Sequence, residues 1–354
     1  MSVEQTASAG GPPPAVPGRP AASPSARPAP TGGSRTTLRR RLAAAPPWAG
    51  AAVVLVVMCV VLAFRSDVFL TTINLQNISQ GFASTLAIAA GTTYLLALGL
   101  IDLSIGGLLI GGMMVLAGLM SLGLPAPLLV LGTVVATAAV SGIVNGGLIA
   151  KAKLNFFVVT LGTASIFQSV AELPTNGSTV TLFGRDGFSA VQWLGSGLVA
   201  GIPVPLVVGM LCLALASFLL HRTNLGQATR AIGGNEMAAR LAGIPVDRLK
   251  MVAFAISGMF VAIGGVLFAG RGAAVDPTAG TGAALSVIAA VLVGGTSFFG
   301  GQVTFVGTFV GVAFIAVLEN GLNLLGVATF WQGVVTGAVL IAAVWMDRFR
   351  SAGA

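Results

Sequence analysis

Charge is what this sequence has least of. Only 8% of its 354 residues are Asp, Glu, Lys or Arg while 55% are hydrophobic, whereas an ordinary soluble domain is roughly a quarter charged. A surface of this composition cannot face water. Cysteine and histidine are scarce as well, at two and one. Cys59 and Cys212 lie inside apolar runs, where a free thiol behaves as a small hydrophobe, and His221 ends such a run beside Arg222. These counts argue against a disulfide framework and against a His/Cys cluster for a transition metal. The three lysines stand outside any GxxxxGK[ST] context, so the chain lacks a phosphate-binding P-loop and any ATP hydrolysis falls to another polypeptide. There is no nucleophile-base constellation, and no carboxylates are paired at useful spacing, so an intramembrane enzyme is disfavoured.

What the sequence has is long apolar blocks, each near the ~20 residues that a helix needs to cross a hydrocarbon core. They read as spans over about 48–64, 80–100, 105–121, 125–150, 156–172, 203–220, 251–270, 283–297, 303–325 and 329–346. The expected fold is an all-α integral membrane protein, a polytopic bundle of about ten transmembrane helices with both termini cytoplasmic. That orientation puts Lys151, Lys153, the 222–250 segment, Arg348 and Arg350 inside, as the positive-inside rule requires. The formal charge of +8 is thus explained by clusters flanking apolar blocks, not by a nucleic-acid stripe. Residues 1–40, rich in Pro, Ala, Gly and Ser, read as a disordered cytoplasmic tail. Residues 41–354 form the transmembrane domain, with Arg39, Arg40 and Arg41 preceding a retained signal anchor.

Glycines four apart, as in Gly107/Gly111, Gly142/Gly146, Gly307/Gly311 and Gly333/Gly337, predict close backbone packing within the bundle. The segment 222–250 predicts a short cytoplasmic helix, with Asn235 as its N-cap, Glu236 at the positive end of its dipole and Gly243 ending it in a left-handed turn. Met237 and Leu241 then share one face, suited to a groove on a partner or to the lipid surface. Intramembrane ionisable groups are functional candidates by default. Asp102, with Ser104, can cap the following helix or face a pathway; Glu319, Asn320 and Asn323 can line a polar path or bond neighbouring helices. Gln168, Asn176, Asn323 and Gln332, with Phe156, Phe157 and Trp331 nearby in sequence, are residue types that suit a sugar. The candidate path is therefore Asp102, Ser104, Gln168, Asn176, Asn320, Asn323 and Gln332.

The strings AIGGNEMAARLAGI, KMVAFAISGMFVAIGGVLFAGR, VIAAVLVGGTSFFGGQVTFVGTFVGV and NGLNLLGV resemble the permeases of ribose/xylose-type ABC importers. So do GLIDLSIGGLLI and NGGLIAKAKLNFFVVTLGTASI upstream, in the same order, within a superfamily that also holds branched-chain amino acid permeases. The resemblance implies a permease for a monosaccharide in the bacterial cytoplasmic membrane, paired with a second permease copy or a close relative. It implies cytoplasmic ATPase subunits that carry ATP and Mg, and an extracytoplasmic sugar-binding protein; this chain needs no cofactor of its own. By the same likeness Gly233, Gly234, Asn235, Glu236, Met237, Ala238, Ala239, Arg240, Leu241 and Gly243 form the coupling helix that fits the ATPase, and a charge at Ala239 would block docking. The chain departs from the family at Gly282-Ala283-Ala284-Leu285, where many relatives carry a glutamate, and at Asn155-Phe156, where proline is common. Alternatives are a branched-chain amino acid or nucleoside permease, or an ion-coupled secondary transporter.

The orientation is testable: a cysteine placed at Ser196, in the 173–202 segment assigned outside, should react with an impermeant thiol reagent on intact cells. Reaction only after permeabilisation would overturn the orientation.

Overall fold

A computed structural model describes residues 46–298 and 300–351, with the backbone alone for Thr329 and residues 346–351. The expected tail over 1–40, Arg39 to Arg41 and the side chains of Arg348 and Arg350 lie outside the described residues.

The chain is a helical bundle. Helix α1 spans Ala49–Arg65, α2 Thr72–Leu96 and α3 Ile105–Met120. Helix α4 runs from Ala126 to Ala150 through a π turn at Ser141–Asn145, and α5 spans Phe156–Glu172. After a strand β1 (Val180–Thr181) comes α6 (Phe188–Ser196), a helix inside what the sequence reads as an external loop. The hairpin of β2 (Leu198–Val199) and β3 (Ile202–Pro203) leads into α7, Val204–Arg222. The 222–250 segment folds as two helices, α8 (Asn224–Gly234) and α9 (Glu236–Leu241), where one is expected. Helix α10 covers Val246–Gly272, followed by strand β4 (Ala274–Val275), α11 (Ala283–Val293), α12 (Phe305–Leu324) and α13 (Thr329–Ser351).

Each of the ten expected spans coincides with a helix, but the helices are not alike. Five of the described helices are long and apolar enough to cross a membrane, those beginning at Ala126, Phe156, Val204, Val246 and Phe305. Helix α11, expected to reach residue 297, stops at Val293 before Gly294 and Gly295. Its 11 residues rise only about 16 Å at 1.5 Å each, half of a hydrocarbon core of ~30 Å. Helix α3 is also short, at 16 residues. Both follow a break in the chain, 97–104 before α3 and 273–282 before α11.

The two breaks belong to a repeated plan. Helix α2 packs on α10 and α12, and α3 on α4 and α5; in the second half α10 packs on α2 and α4, and α11 on α12 and α13. The two halves run in opposite directions. A Cβ on Gly91 would meet Ser257 and Phe260, whereas one on Gly264 would meet Ser84 and Ile88, so α2 and α10 cross antiparallel. The α2–α5 and α10–α13 sets are thus inverted relative to one another, and their central pair is largely buried. That burial explains the composition of α2. Its Thr92 and Thr93 donate to Ile88 O and Ala89 O in their own helix, at 3.1 and 2.8 Å, Thr93 also meets Thr308 at 2.7 Å, and Tyr94 meets Thr229 at 3.1 Å.

Glycine makes these crossings possible, as the four-residue spacing predicts for Gly142, Gly146, Gly307 and Gly311. A Cβ at Gly142 would lie 2.8 Å from Ala255 Cβ, and one at Gly146 2.7 Å from Met251 Cα. At Gly311 it would overlap the Ala290 carbonyl. Gly111, by contrast, has nothing within 4 Å. Gly311→Ala is therefore expected to destabilise the bundle by about 1–3 kcal/mol or more, the cost of overpacking. Gly162→Ala, where a Cβ also meets nothing within 4 Å, is the control. Equal thermal unfolding of the two variants would show that the α11–α12 contact is not needed.

Candidate functional site

The 222–250 segment is built by local capping. The Thr223 hydroxyl accepts from Gly226 N at 3.1 Å to start α8, and Asn235 Oδ1 accepts from Ala238 N at 3.0 Å to start α9. Gly243 follows α9 with φ +82°. Such caps satisfy the amide groups left free at a helix start and let the chain reverse at its end.

Helix α9 has two different faces. Met237 and Leu241 are 67% and 83% exposed, whereas Ala239 is 4% exposed. The sequence reading of Ala239 as a docking contact is thereby corrected: its methyl group faces the protein, so a charge there would disrupt the local fold before it reached any partner. Behind the exposed face, ion pairs tie α9 down. Glu236 pairs with Arg240 at 3.2 Å and Lys250 at 2.8 Å, and Asp247 pairs with Arg240 at 3.0 Å and Lys153 at 2.6 Å. This links α9 to the first turn of α10 and to the turn after α4. Partial burial opposes ionisation of Glu236, but the hydrogen bonds and charges of Lys250 and Arg240 outweigh it and hold its carboxyl below the ordinary range. Its contribution is present above the ordinary glutamate pKa and is lost as pH falls below it.

Helix α8 reaches from α9 into the bundle. Gly233 lies against the backbone of the first chain break, so closely that a Cβ would overlap the Ala97 carbonyl. Gly301 N also donates to Ala97 O at 3.4 Å, and a Cβ on Gly300 would sit 2.7 Å from Gly99 Cα. Three backbone segments meet here without intervening side chains. Five residues beyond Ala97 stands Asp102.

Asp102 and Ser104 are fully buried. Asp102 Oδ1 accepts from Ser104 N at 2.8 Å and Ser104 Oγ at 2.5 Å, and Asn145 Nδ2 donates to Ser104 Oγ at 2.8 Å. Asp102 thus orders the entry to α3 and binds it to the π turn of α4. Asp102 Oδ2 and Asn145 Oδ1 have no hydrogen-bond partner among the described residues.

The other predicted polar residues fall in three places. Asn320 and Asn323 line a cavity of about 260 Å³ among α2, α10, α11 and α12, together with Asn77, Ser286, Arg271 and Glu319. Asn320 forms a reciprocal amide pair with Asn74, at 2.8 and 3.2 Å, and Gln332 donates to Asn323 at 2.7 Å, so these amides also join helices. Arg271 and Glu319 make no hydrogen bond or ion pair with any described residue, and both open onto this cavity. Gln168 lines a second, more open cavity of about 460 Å³ beside Leu103, Gly106 and Gly280, where it donates to Glu172 at 2.9 Å and to the Pro277 carbonyl at 3.3 Å. Asn176 lines neither. It occupies an exposed left-handed turn at φ +49°, after the short helix that ends α5. Phe156 and Phe157 stack on each other at the start of α5, 4.4 Å between ring centres. Sequence reasoning missed Arg271 as a cavity residue, since its place beside a polar break read as an external loop.

A family model described as the branched-chain amino acid transport system permease component matches residues 74–344. Similar proteins include the ribose import permease protein RbsC of Bacillus subtilis (strain 168), 39% identical over 83% of this chain and 91% of that one. Another is the D-allose transport system permease protein AlsC of Escherichia coli (strain K12), 36% identical over 80% of this chain and 86% of the relative. The xylose transport system permease protein XylH of Haemophilus influenzae is 31% identical, with coverages of 82% and 94%.

The backbone contact at Gly233 gives a paired test. Gly233→Ala should displace α8 from the Ala97 carbonyl and lower both thermal stability and activity of the chain, whereas Gly234→Ala, with nothing within 4 Å of the added methyl, should leave both unchanged. Indistinguishable variants would remove the link between α8 and the break.

Proposed function

Because the chain belongs to the branched-chain amino acid transport system permease component family, we propose that it is the membrane-spanning permease subunit of an ABC importer for a monosaccharide. The likeness to permeases named for ribose, D-allose and xylose supports a sugar as cargo. The observation that carries the mechanism is helix α9, whose Met237 and Leu241 point outward while its other face is tied to α10 and, through α8, to the chain break at Ala97.

In this reading the ten helical segments lie in the bacterial cytoplasmic membrane, α11 reaching part of the way, with both termini inside, and two such permeases, or this chain and a close relative, form the pathway. ATP and Mg are bound on separate cytoplasmic ATPase subunits. An exposed pair of apolar side chains at a membrane surface suits a groove on such a subunit. Movement of α9 with the ATPase is passed to α10 by the ion pairs and to the α2–α3 break by Gly233, shifting the bundle between states that are open to either side. An extracytoplasmic binding protein delivers the sugar. The amides and the unpaired charges at the α12 cavity offer hydrogen-bond partners for hydroxyl groups along the route.

The family description itself favours a second reading, a branched-chain amino acid as cargo. An ion-coupled transporter leaves the exposed apolar side of α9 without a role.

The double variant Met237→Asp/Leu241→Asp, made in the intact importer, should lower ATP-dependent ribose uptake by about tenfold or more, as expected when apolar anchors of an interface are lost. The variant permease should still insert, and its ATPase should no longer co-purify. Unchanged uptake and assembly would refute the coupling role, and ATP-dependent uptake of leucine instead of ribose by the wild type would move the cargo to the second reading.

A further inference from the structure

A further cavity is larger than both of those described above. It is an apolar cleft of about 520 Å³ between α3, α4 and α5, within the ~300–1,000 Å³ range of pockets that hold small ligands. Its floor is open because Gly111 and Gly118 on α3 have no side chain and nothing lies within 4 Å of where a Cβ would stand. Val140 of α4 and Val170 of α5 form part of its walls. These surfaces offer almost nothing to a sugar hydroxyl, and a polar cargo would lose its water there without replacement.

One end of the cleft is charged. At the C-terminal end of α3, Arg185 Nη1 donates to Ala117 O at 3.1 Å and Ser121 Oγ at 3.0 Å, which holds the guanidinium over the opening. Its remaining N–H groups have no partner among the described residues. The next residue, Asp186, lies over the same turn, with its Oδ2 3.7 Å from the Cβ position of Gly123, and the two charges form no ion pair with each other. This lip therefore presents one cation and one anion side by side, at the end of an apolar slot between membrane helices.

We infer that the cleft holds an acyl chain of a zwitterionic phosphate–ammonium lipid, of the phosphatidylethanolamine class, with its phosphate on Arg185 and its ammonium at Asp186. The inference needs the bundle to lie in a membrane but not the transport of a sugar. A planar guanidinium with free N–H groups is the residue of choice for a phosphate oxygen pair. The adjacent carboxylate favours a headgroup with a positive end over a purely anionic one.

The test is native mass spectrometry of the full-length chain, delipidated and then titrated with phosphatidylethanolamine, phosphatidylglycerol or phosphatidylcholine of matched acyl chains. Phosphatidylethanolamine should bind best. Gly111→Phe should fill the cleft and reduce its retention by about tenfold, the effect of losing roughly 1.4 kcal/mol, with Gly111→Leu as the milder variant. Arg185→Gln should weaken all three lipids, and Asp186→Asn should raise phosphatidylglycerol relative to phosphatidylethanolamine. Thermal unfolding of each variant separates lipid loss from misfolding. Retention unaffected by either Gly111 substitution overturns the site, and so does disruption of self-association by Gly111→Phe with lipid retention intact, which would assign the cleft to a second copy of this chain. Equal binding of phosphatidylglycerol and phosphatidylethanolamine to the wild type overturns the role of Asp186.

Discussion

Backbone that leaves a helix inside a bilayer must find partners for its N–H and C=O groups within the protein, because hydrocarbon supplies none. This chain leaves its helices twice in that way, at 97–104 and at 273–282, and much of the fold can be read as the means of covering those two segments. At the first, Gly233, Gly300 and Gly301 bring bare backbone against Ala97 and Gly99, and Ser104 and Asn145 enclose Asp102. At the second, Gly106 lies on the Gly280 backbone, and the antiparallel β1–β4 pair, Val180 with Val275 and Thr181 with Ala274, holds the chain as it leaves α10. A side chain at Gly106, Gly233 or Gly300 would collide with the backbone it covers.

The same economy ties α9 to the bundle. Exposed ion pairs such as those of Arg240 and Asp247 contribute little individually, typically up to about 1 kcal/mol, so they position α9 more than they stabilise it. The stiffer connection is steric. Gly233 against Ala97 leaves no gap that a side-chain rotation could close, so α8 and the first break meet backbone to backbone. Beyond it Asp102 is bound through Ser104 to the π turn of α4 in the first half of the bundle, while Asp247 and Lys250 bind α9 to α10 in the second.

Much of this was legible in the sequence, for reasons tied to particular residues. Asn235 and Gly243 announced α9 because caps act locally and need no tertiary context. The apolar blocks placed every long helix, and the glycine spacing signalled close packing, which Gly142, Gly146, Gly307 and Gly311 make and Gly111, Gly333 and Gly337 do not. What escaped is non-local. Nothing in the run around 283–297 reveals that its helix is half a membrane long, since the loop that replaces its missing turns is covered by residues far away in sequence, such as Gly106 and Val180. Helix α6 was read as loop because nine residues fall below any span length. Ala239 was misassigned because its face is decided by how α9 lies on its neighbours, and Asn176 because a polar residue near the end of a span looks the same in sequence whether it turns the chain or lines a cavity.

The inverted halves also place two polar clusters in comparable positions with different outcomes. Asn145 stands about one turn from the end of α4 and Asn320 about one turn from the end of α12, each followed by a glycine, Gly146 and Gly321. Asn145 is sealed, with Asp102 and Ser104 fully buried beside it. Asn320 borders a cavity of about 260 Å³ that also exposes Arg271 and Glu319 without partners. Unpaired charges in such a place are costly unless water or a ligand reaches them, whereas the Asp102 cluster keeps itself closed by bonding its groups mostly to one another. Asn320 thus borders a cavity while Asn145 is buried, and the α8–α9 unit touches the break beside the buried cluster.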